Sequence, residues 1–247
     1  MVPREAFLPP GPWEMMARFD RHVRTPSADP AYLYRTNMVI ALDSAKGINN
    51  GEPVLHASWM QAVAPAPGER ICHIGAGTGY YTAILSILVV PGGTVTAFEI
   101  EPALAAMAQA ALEPYEGVTL VKADATAADL PESDVIYVNA GVAAPPLSWL
   151  KALAPGGRLI FPWRPSDEVA LAVTVRRCAR GFAVKPLMPA FFIPCVRRDD
   201  QGRTDKAPDA QAARSARSLW LTGHRPPDET AVAVFHDVWF SSERLAG

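Results

Sequence analysis

Cysteine is scarce in this chain of 247 residues: Cys72, Cys178 and Cys195 are an odd set with no CxxC pair. This argues against a disulfide framework or a cysteine-rich metal site, and three reduced, mostly buried thiols are expected. Long apolar runs are also missing. The longest, Ala83 to Val90, contains Ser86 and falls far short of the roughly 20 residues that span a bilayer. The opening MVPREAF lacks the apolar region of a signal peptide, so a soluble, cytoplasmic protein with no membrane partner is expected. Neither sign of charge dominates: 23 basic and 25 acidic residues leave −2, without a block of like charges, which argues against a nucleic-acid partner. His22, His73, His224 and His236 lack the paired spacing of a metal site, and no metal is expected. What is present is 49% hydrophobic and 19% charged residues, a composition that folds. At about 150 residues per domain, the length fits one large α/β domain with appendages.

Four stretches follow along the chain. Residues 1–52 form an N-terminal arm and a loop. Pro3, Pro9, Pro10, Pro12, Pro26 and Pro30 are too many for a central strand or a long helix, while Trp13, Met16, Phe19 and Val23 suit a short amphipathic turn lying on the main domain. Lys46 to Glu52 reads as a loop from its Gly and Asn content. Residues 53–196 form the main domain. Pro53 opens a helix whose inner face carries Leu55, Trp59, Ala62 and Val63. Strands at Arg70 to Gly75, Thr94 to Glu99, Val118 to Val121, Asp134 to Val138 and Arg158 to Phe161 alternate with helices, the pattern of βαβ units on a parallel sheet. Val169 to Val175, Phe182 to Val184 and Ala190 to Val196 read as late strands closing one edge. Residues 197–218 hold no large apolar side chain and read as a polar linker or insertion. Residues 219–247 regain β character as a C-terminal extension.

Gly75-Ala76-Gly77-Thr78-Gly79 sits at the first strand-to-helix turn, where glycines let the backbone approach a ligand and the helix N-terminus favours negative charge. The motif is GxGxG; Tyr80 occupies the place where a dinucleotide fingerprint needs a small residue, which disfavours an NAD-dependent oxidoreductase. Glu99 ends the next strand, placed to accept both hydroxyls of a ribose, and Asp124 follows the third strand, placed to accept from an adenine amine. A ligand with a ribose diol, an adenine edge and an amino-acid end but no pyrophosphate fits this order of groups: S-adenosylmethionine.

At these residues the chain resembles class I methyltransferases, and more narrowly the protein-L-isoaspartate O-methyltransferase family. The narrower likeness rests on VPREAF (Val2 to Phe7), IGAGTGYYTAILS (Ile74 to Ser86) with FEIEPALAAMA (Phe98 to Ala108), LAPGGRLIFP (Leu153 to Pro162) and AFFIP (Ala190 to Pro194). It covers about Val2 to Cys195. The resemblance implies a Rossmann-like, doubly wound, mostly parallel sheet with an antiparallel edge, and S-adenosylmethionine as cofactor. It places Gly75, Gly77 and Thr78 on the methionine side, Glu99 with Ile100 at the ribose and Asp124 with Ala125 at the adenine; His56, Ala76 and Gly79 complete the expected cofactor-binding set. The family's substrate loop carries serine, any residue, proline and, three residues later, histidine. Here these positions read Gly51, Glu52, Pro53 and His56, so the serine hydroxyl is absent. Asn49, Asn50 and Gly51 are the expected catalytic residues. A second departure is His73, which stands where methyltransferases usually carry an acid.

The function implied is carboxyl O-methylation of isoaspartyl residues in damaged proteins. A carboxylate has a pKa near 4 and is ionised at neutral pH, so no general base is required, and none is recognisable. Asn49 and Asn50 have amide donors suited to orienting such a group. The missing serine motivates one alternative, the same scaffold with a changed small-molecule carboxylate or biosynthetic-peptide acceptor. A cofactor-binding but catalytically silent interaction protein is the other.

Overall fold

The computed structural model describes residues 1–17, 21–35, 37–195 and 204–245, so Phe19 and Val196 lie outside the described residues. The proline-rich N-terminus contains more order than a turn or two. Glu14–Ala17 (β1), Arg21–Arg24 (β2), Val39–Asp43 (β3) and Ile48–Asn49 (β4) pair antiparallel in the order β2-β1-β3-β4, so β1 is a central strand of a small sheet, and a short helix, Ala31–Tyr34 (α1), precedes β3. The prolines fall between these segments, where no ladder N–H is needed. Alternation along β1 buries Met15, rather than the expected Met16, with Leu8, Trp13, Leu33 and Ile40, while Val23 is exposed. Ahead of this sheet the 3-10 turn Arg4–Phe7 drives Phe7 into a cluster with Ala83, Ala108 and Leu112.

The central stretch follows its Gly and Pro punctuation closely. Pro53–Val63 (α2) starts with proline in the first turn and buries His56, Trp59, Met60 and Val63, at i, i+3, i+4 and i+7; Ala62 faces solvent instead of the core. Arg70–Ile74 (β5), Tyr80–Leu88 (α3), Thr94–Glu99 (β6), Pro102–Leu112 (α4) and Val118–Lys122 (β7) build two successive βαβ units. Ser133–Val138 (β8) then pairs with the other side of β5, and Leu147–Ala152 (α5) leads directly into Leu153–Trp163 (β9), parallel to β8. The chain reverses direction across the sheet between β5 and β8. In a doubly wound sheet such a reversal opens a crevice at the carboxyl ends of the strands, and that crevice is where ligands bind.

Leu171–Arg177 (β10) and Phe182–Pro189 (β11) continue the sheet antiparallel. The tail then extends it rather than closing it: Thr204–Lys206 (β12), Ala210–Ser215 (α6), Ser218–Leu221 (β13), Ala231–Phe235 (β14) and Val238–Ser241 (β15) complete the sheet order β12-β14-β15-β13-β11-β10-β9-β8-β5-β6-β7. Trp163 on β9 stacks on Phe240 of β15 at 4.2 Å, locking this flank to the parallel centre. Two expectations need correction. Ala190 to Cys195 form no strand, only an isolated bridge from Pro194 to Gly141, since Pro189 and Pro194 cannot donate to a ladder. The described part of the supposed linker is folded, with Ala213 and Ala216 fully buried; small side chains bury this segment without any large apolar residue. Among the described residues no helix is long and apolar enough to cross a membrane.

Candidate active site

A cavity of about 570 Å³ opens at the carboxyl ends of β5, β6, β7 and β8. One wall is the Gly75 to Thr78 turn, the end of β6 and the loop after β7; the other is the Asn49 to Gly51 loop, brought in by β4 and the start of α2. Gly77 has φ +59°, and a Cβ there would meet nothing within 4 Å, so its backbone lies bare against open space. Glu99 is buried, and each of its carboxylate oxygens takes one backbone donor: Gly77 N at 2.7 Å and Glu101 N at 2.8 Å. Burial raises its pKa above the usual carboxylate range, opposed by the N–H groups of Glu101, Gly77 and Ile100. A carboxylate offers about four acceptor positions, so acceptor capacity remains on both oxygens for a diol. Asp124 keeps its place through one oxygen, Oδ1, which accepts from Thr126 N and Oγ1 at 2.8 and 2.7 Å; the carbonyl of neighbouring Ala125 accepts from Trp149 Nε1 at 2.9 Å.

Twelve of the thirteen expected site residues line this one cavity: Asn49, Asn50, Gly51, His56, Gly75, Ala76, Gly77, Thr78, Glu99, Ile100, Asp124 and Ala125. Gly79 does not. It is the N-cap of α3, and a Cβ there would stand 2.9 Å from Leu112, so it serves the packing of α3 on α4. His56 belongs to the wall and is 1% exposed. Its ring stacks on Tyr81 at 3.6 Å and its Nδ1 lies 2.9 Å from Tyr137 Oη; burial, with the nearby His73 and Arg4, pushes its pKa far below the ordinary value and leaves it neutral. Gly51 has φ +76°, and a Cβ there would come within 2.4 Å of His56 Nε2 and 2.8 Å of Tyr81 Cε2. A side chain at this position would be strained by the left-handed backbone and would press on both rings.

His73, at the place of the usual acid, is fully buried, and burial lowers its pKa to about 3. It links Thr82 Oγ1, 2.8 Å from Nδ1, to Asn139 Nδ2, 2.9 Å from Nε2, and thereby positions Asn139 in the cavity wall beyond β8. Three buried polar atoms of cavity-lining residues have no hydrogen-bond partner among the described residues: Asn50 Nδ2, Tyr81 Oη and Asn139 Oδ1. Buried polar groups are rarely left unpaired, and all three belong to residues around one cavity, although each atom is itself closed off from the open space.

Sequence reasoning missed Asn139, although its place directly after a strand at the sheet's reversal was a usable signal. It also missed Arg4, which is 1% exposed and donates to Leu33 O, Met38 O, Asn50 Oδ1 and Gly51 O at 2.9–3.3 Å. Asn50 Oδ1 accepts from Ile40 N as well, at 2.9 Å. Both partners are pure donors, which fixes the amide so that its NH₂ is the unpaired end. Lys46 and Glu101, joined at 2.9 Å, bridge the two walls at the rim, where Phe191 and Ile193 are exposed.

Comparison with known proteins shows the family. The sequence model of the family described as protein-L-isoaspartate(D-aspartate) O-methyltransferase matches residues 12–200. The chain is 36% identical over 188 residues to the protein-L-isoaspartate O-methyltransferase of Aeropyrum pernix, covering 74% of this chain and 71% of that one. It is 30% identical over 187 residues to that of Methylorubrum populi, covering 74% and 85%. A solved protein-L-isoaspartate O-methyltransferase superposes with a TM-score of 0.66 at 26% identity, over 79% of this chain and 59% of that one. The region beyond residue 200, with β12 to β15, lies outside the family match, while the glycine turn, Glu99 and the Asn49 to Gly51 loop lie within it. On the strength of that match and those identities, the chain belongs to the protein-L-isoaspartate (D-aspartate) O-methyltransferase family.

Proposed function

We propose that this protein is an S-adenosylmethionine-dependent carboxyl methyltransferase whose acceptor is the isoaspartyl carboxylate of a protein or peptide, and that it works in the cytoplasm. The observation that carries the reading is one cavity with two chemically different walls: Gly77, Glu99 and Asp124 on one, the fixed amide of Asn50 on the other. When bound, S-adenosylmethionine supplies an electrophilic methyl group on a sulfonium, and displacement at that carbon is in line. Glu99 would accept from the ribose hydroxyls and Asp124 from the adenine amine, and the open backbone at Gly77 would leave room for the methionine part. Asn50 Nδ2, the unpaired end of the amide, is the donor available to the acceptor carboxylate once binding uncovers it, and Asn49 holds the loop in shape by donating to Gly47 O and accepting from Gly51 N. The carboxylate is already ionised at neutral pH, so the work left to the protein is alignment and exclusion of water. Alignment of this kind is consistent with the neutral wall supplied by His56 and with Asn139 held in place by buried His73.

The test uses methyl-labelled cofactor with an isoaspartyl peptide. Label transferred to the peptide and then released as volatile methanol, as the methyl ester collapses, is the expected result. Tight cofactor binding without transfer to any isoaspartyl peptide contradicts the reading.

A further inference from the structure

The hydroxyl of Tyr81 makes no hydrogen bond among the described residues, although buried Arg4 lies near enough to interact with it electrostatically. Tyr81 is the second residue of α3 and 5% exposed; its ring is held by the stack on His56 and an edge contact with Tyr80 at 5.0 Å, yet its Oη is buried and has no partner among the described residues. Leaving a buried hydroxyl unpaired is destabilising, and phenylalanine would fill the same space without that penalty. The residue lines the cavity, and its Cε2, one bond from the carbon that carries Oη, lies 2.8 Å from where a Cβ on Gly51 would stand. It therefore occupies the ground beside the Asn49 to Gly51 loop that a side chain at position 51 would otherwise fill. Burial raises its pKa, with only the nearby Arg4 opposing, so the group keeps its proton at every working pH. Tyr81 Oη is closed off from the open space of the cavity, so this protonated phenol becomes a hydrogen-bond donor to a ligand when a side-chain or loop adjustment on binding uncovers it.

We infer that Tyr81 Oη donates to a carboxylate bound in the cavity, and that this is the acceptor's carboxylate, held jointly with Asn50 Nδ2. The inference rests on the reading of the acceptor given above. It gives the missing hydroxyl at Gly51 a replacement from a different element: the loop has lost its side chain, and α3 supplies the oxygen. A carboxylate with two oxygens suits two donors on one wall, whereas a neutral hydroxyl acceptor has no need of them. The other carboxylate available to the site is that of the cofactor's own amino-acid end, and the two sources separate experimentally.

The test is Tyr81→Phe, which removes one atom and leaves the ring stack intact. Thermal melting should be unchanged or raised, and the dissociation constant for S-adenosylhomocysteine should stay within twofold of the parent. kcat/KM on an isoaspartyl peptide should fall at least tenfold. A fall of less than twofold overturns the inference. So does a tenfold loss of S-adenosylhomocysteine affinity with an unchanged KM for peptide, which assigns the hydroxyl to the cofactor's carboxylate. The parent protein, measured alongside, tests the underlying reading separately: a parent that binds S-adenosylhomocysteine but does not methylate the peptide overturns that reading, and this inference with it.

Discussion

Glu99 and Gly51 are the two residues whose surroundings translate most directly into measurements. Glu99 is held by two backbone donors and keeps acceptor capacity in a buried setting, where a hydrogen bond to a charged group contributes about 1.5–3 kcal/mol. Glu99→Ala should weaken S-adenosylhomocysteine binding at least tenfold in calorimetry, and unchanged affinity would remove the ribose assignment. Restoring the family's serine at Gly51 would return the absent hydroxyl only if the backbone there tolerated a side chain, and with its positive φ it does not. A left-handed backbone and a Cβ position 2.4 Å from His56 Nε2 make Gly51→Ser an overpacking change, with a typical loss of about 1–3 kcal/mol. Lower thermal stability with no rise in turnover on an isoaspartyl peptide is expected; a faster enzyme would show that the loop and His56 rearrange freely. Glu99 and Asp124 were legible in the sequence because spacing along a βα repeat fixes where strand ends fall, whereas the Asn49 to Gly51 loop was reached as a site only through the resemblance to the family's substrate loop. Tyr81, Arg4 and Asn139 were not legible, because an unpaired hydrogen-bonding atom is a property of three-dimensional neighbours and leaves no periodic trace.

Elements were legible where two signals agreed. Pro53 and Pro102 at helix starts, glycines at turns, and a clear change from period 3.6 to period 2 placed α2, β5, α3, β6, α4 and β7 within a residue or two. The four-residue strands of the arm gave too short a pattern, and the many prolines around them pointed the other way. The helix α6 was hidden for a different reason: Ala213 bears its buried contact with a single methyl group. The arm's importance lies in what it grips. Phe7 fills a pocket between α3 and α4, with ring contacts to Tyr80 at 5.7 Å and Tyr115 at 6.0 Å, and Arg4, three residues earlier, braces the Asn50 amide and the Gly51 carbonyl. Emptying such a site costs about 3–5 kcal/mol for Phe→Ala. Phe7→Ala should therefore lower the denaturant midpoint, and raise KM for peptide more than the dissociation constant for cofactor as the Arg4 brace loosens. Unchanged stability and KM would reduce the arm to a passive extension.

For the whole molecule, two buried neutral histidines couple folding to pH. The folded pKa of His73 lies near 3 and that of His56 also lies well below the unfolded value of about 6.5. Between those limits the unfolded chain binds more protons, so stability rises with pH: the contribution is complete above about pH 6.5 and is lost as pH falls toward 3. Each histidine adds up to about 1.4 kcal/mol per pH unit, so denaturation midpoints should drop steeply from pH 7 to pH 5, and His73→Gln should flatten that slope by about half. Glu99, its pKa raised by burial, works in the opposite sense, its contribution fading as pH rises above about 4.5. A flat profile between pH 5 and 7 would show that the histidines are solvated. The central claim, that this cavity aligns an isoaspartyl carboxylate with the methyl group of S-adenosylmethionine, is tested most directly by the ratio of kcat/KM for two peptides of one sequence, one with an isoaspartyl and one with a normal aspartyl linkage. A carboxylate fixed by donors on one wall discriminates the two backbones, so the ratio should exceed one hundred in favour of the isoaspartyl form; equal rates, or transfer to neither peptide by protein that binds the cofactor, would contradict the account.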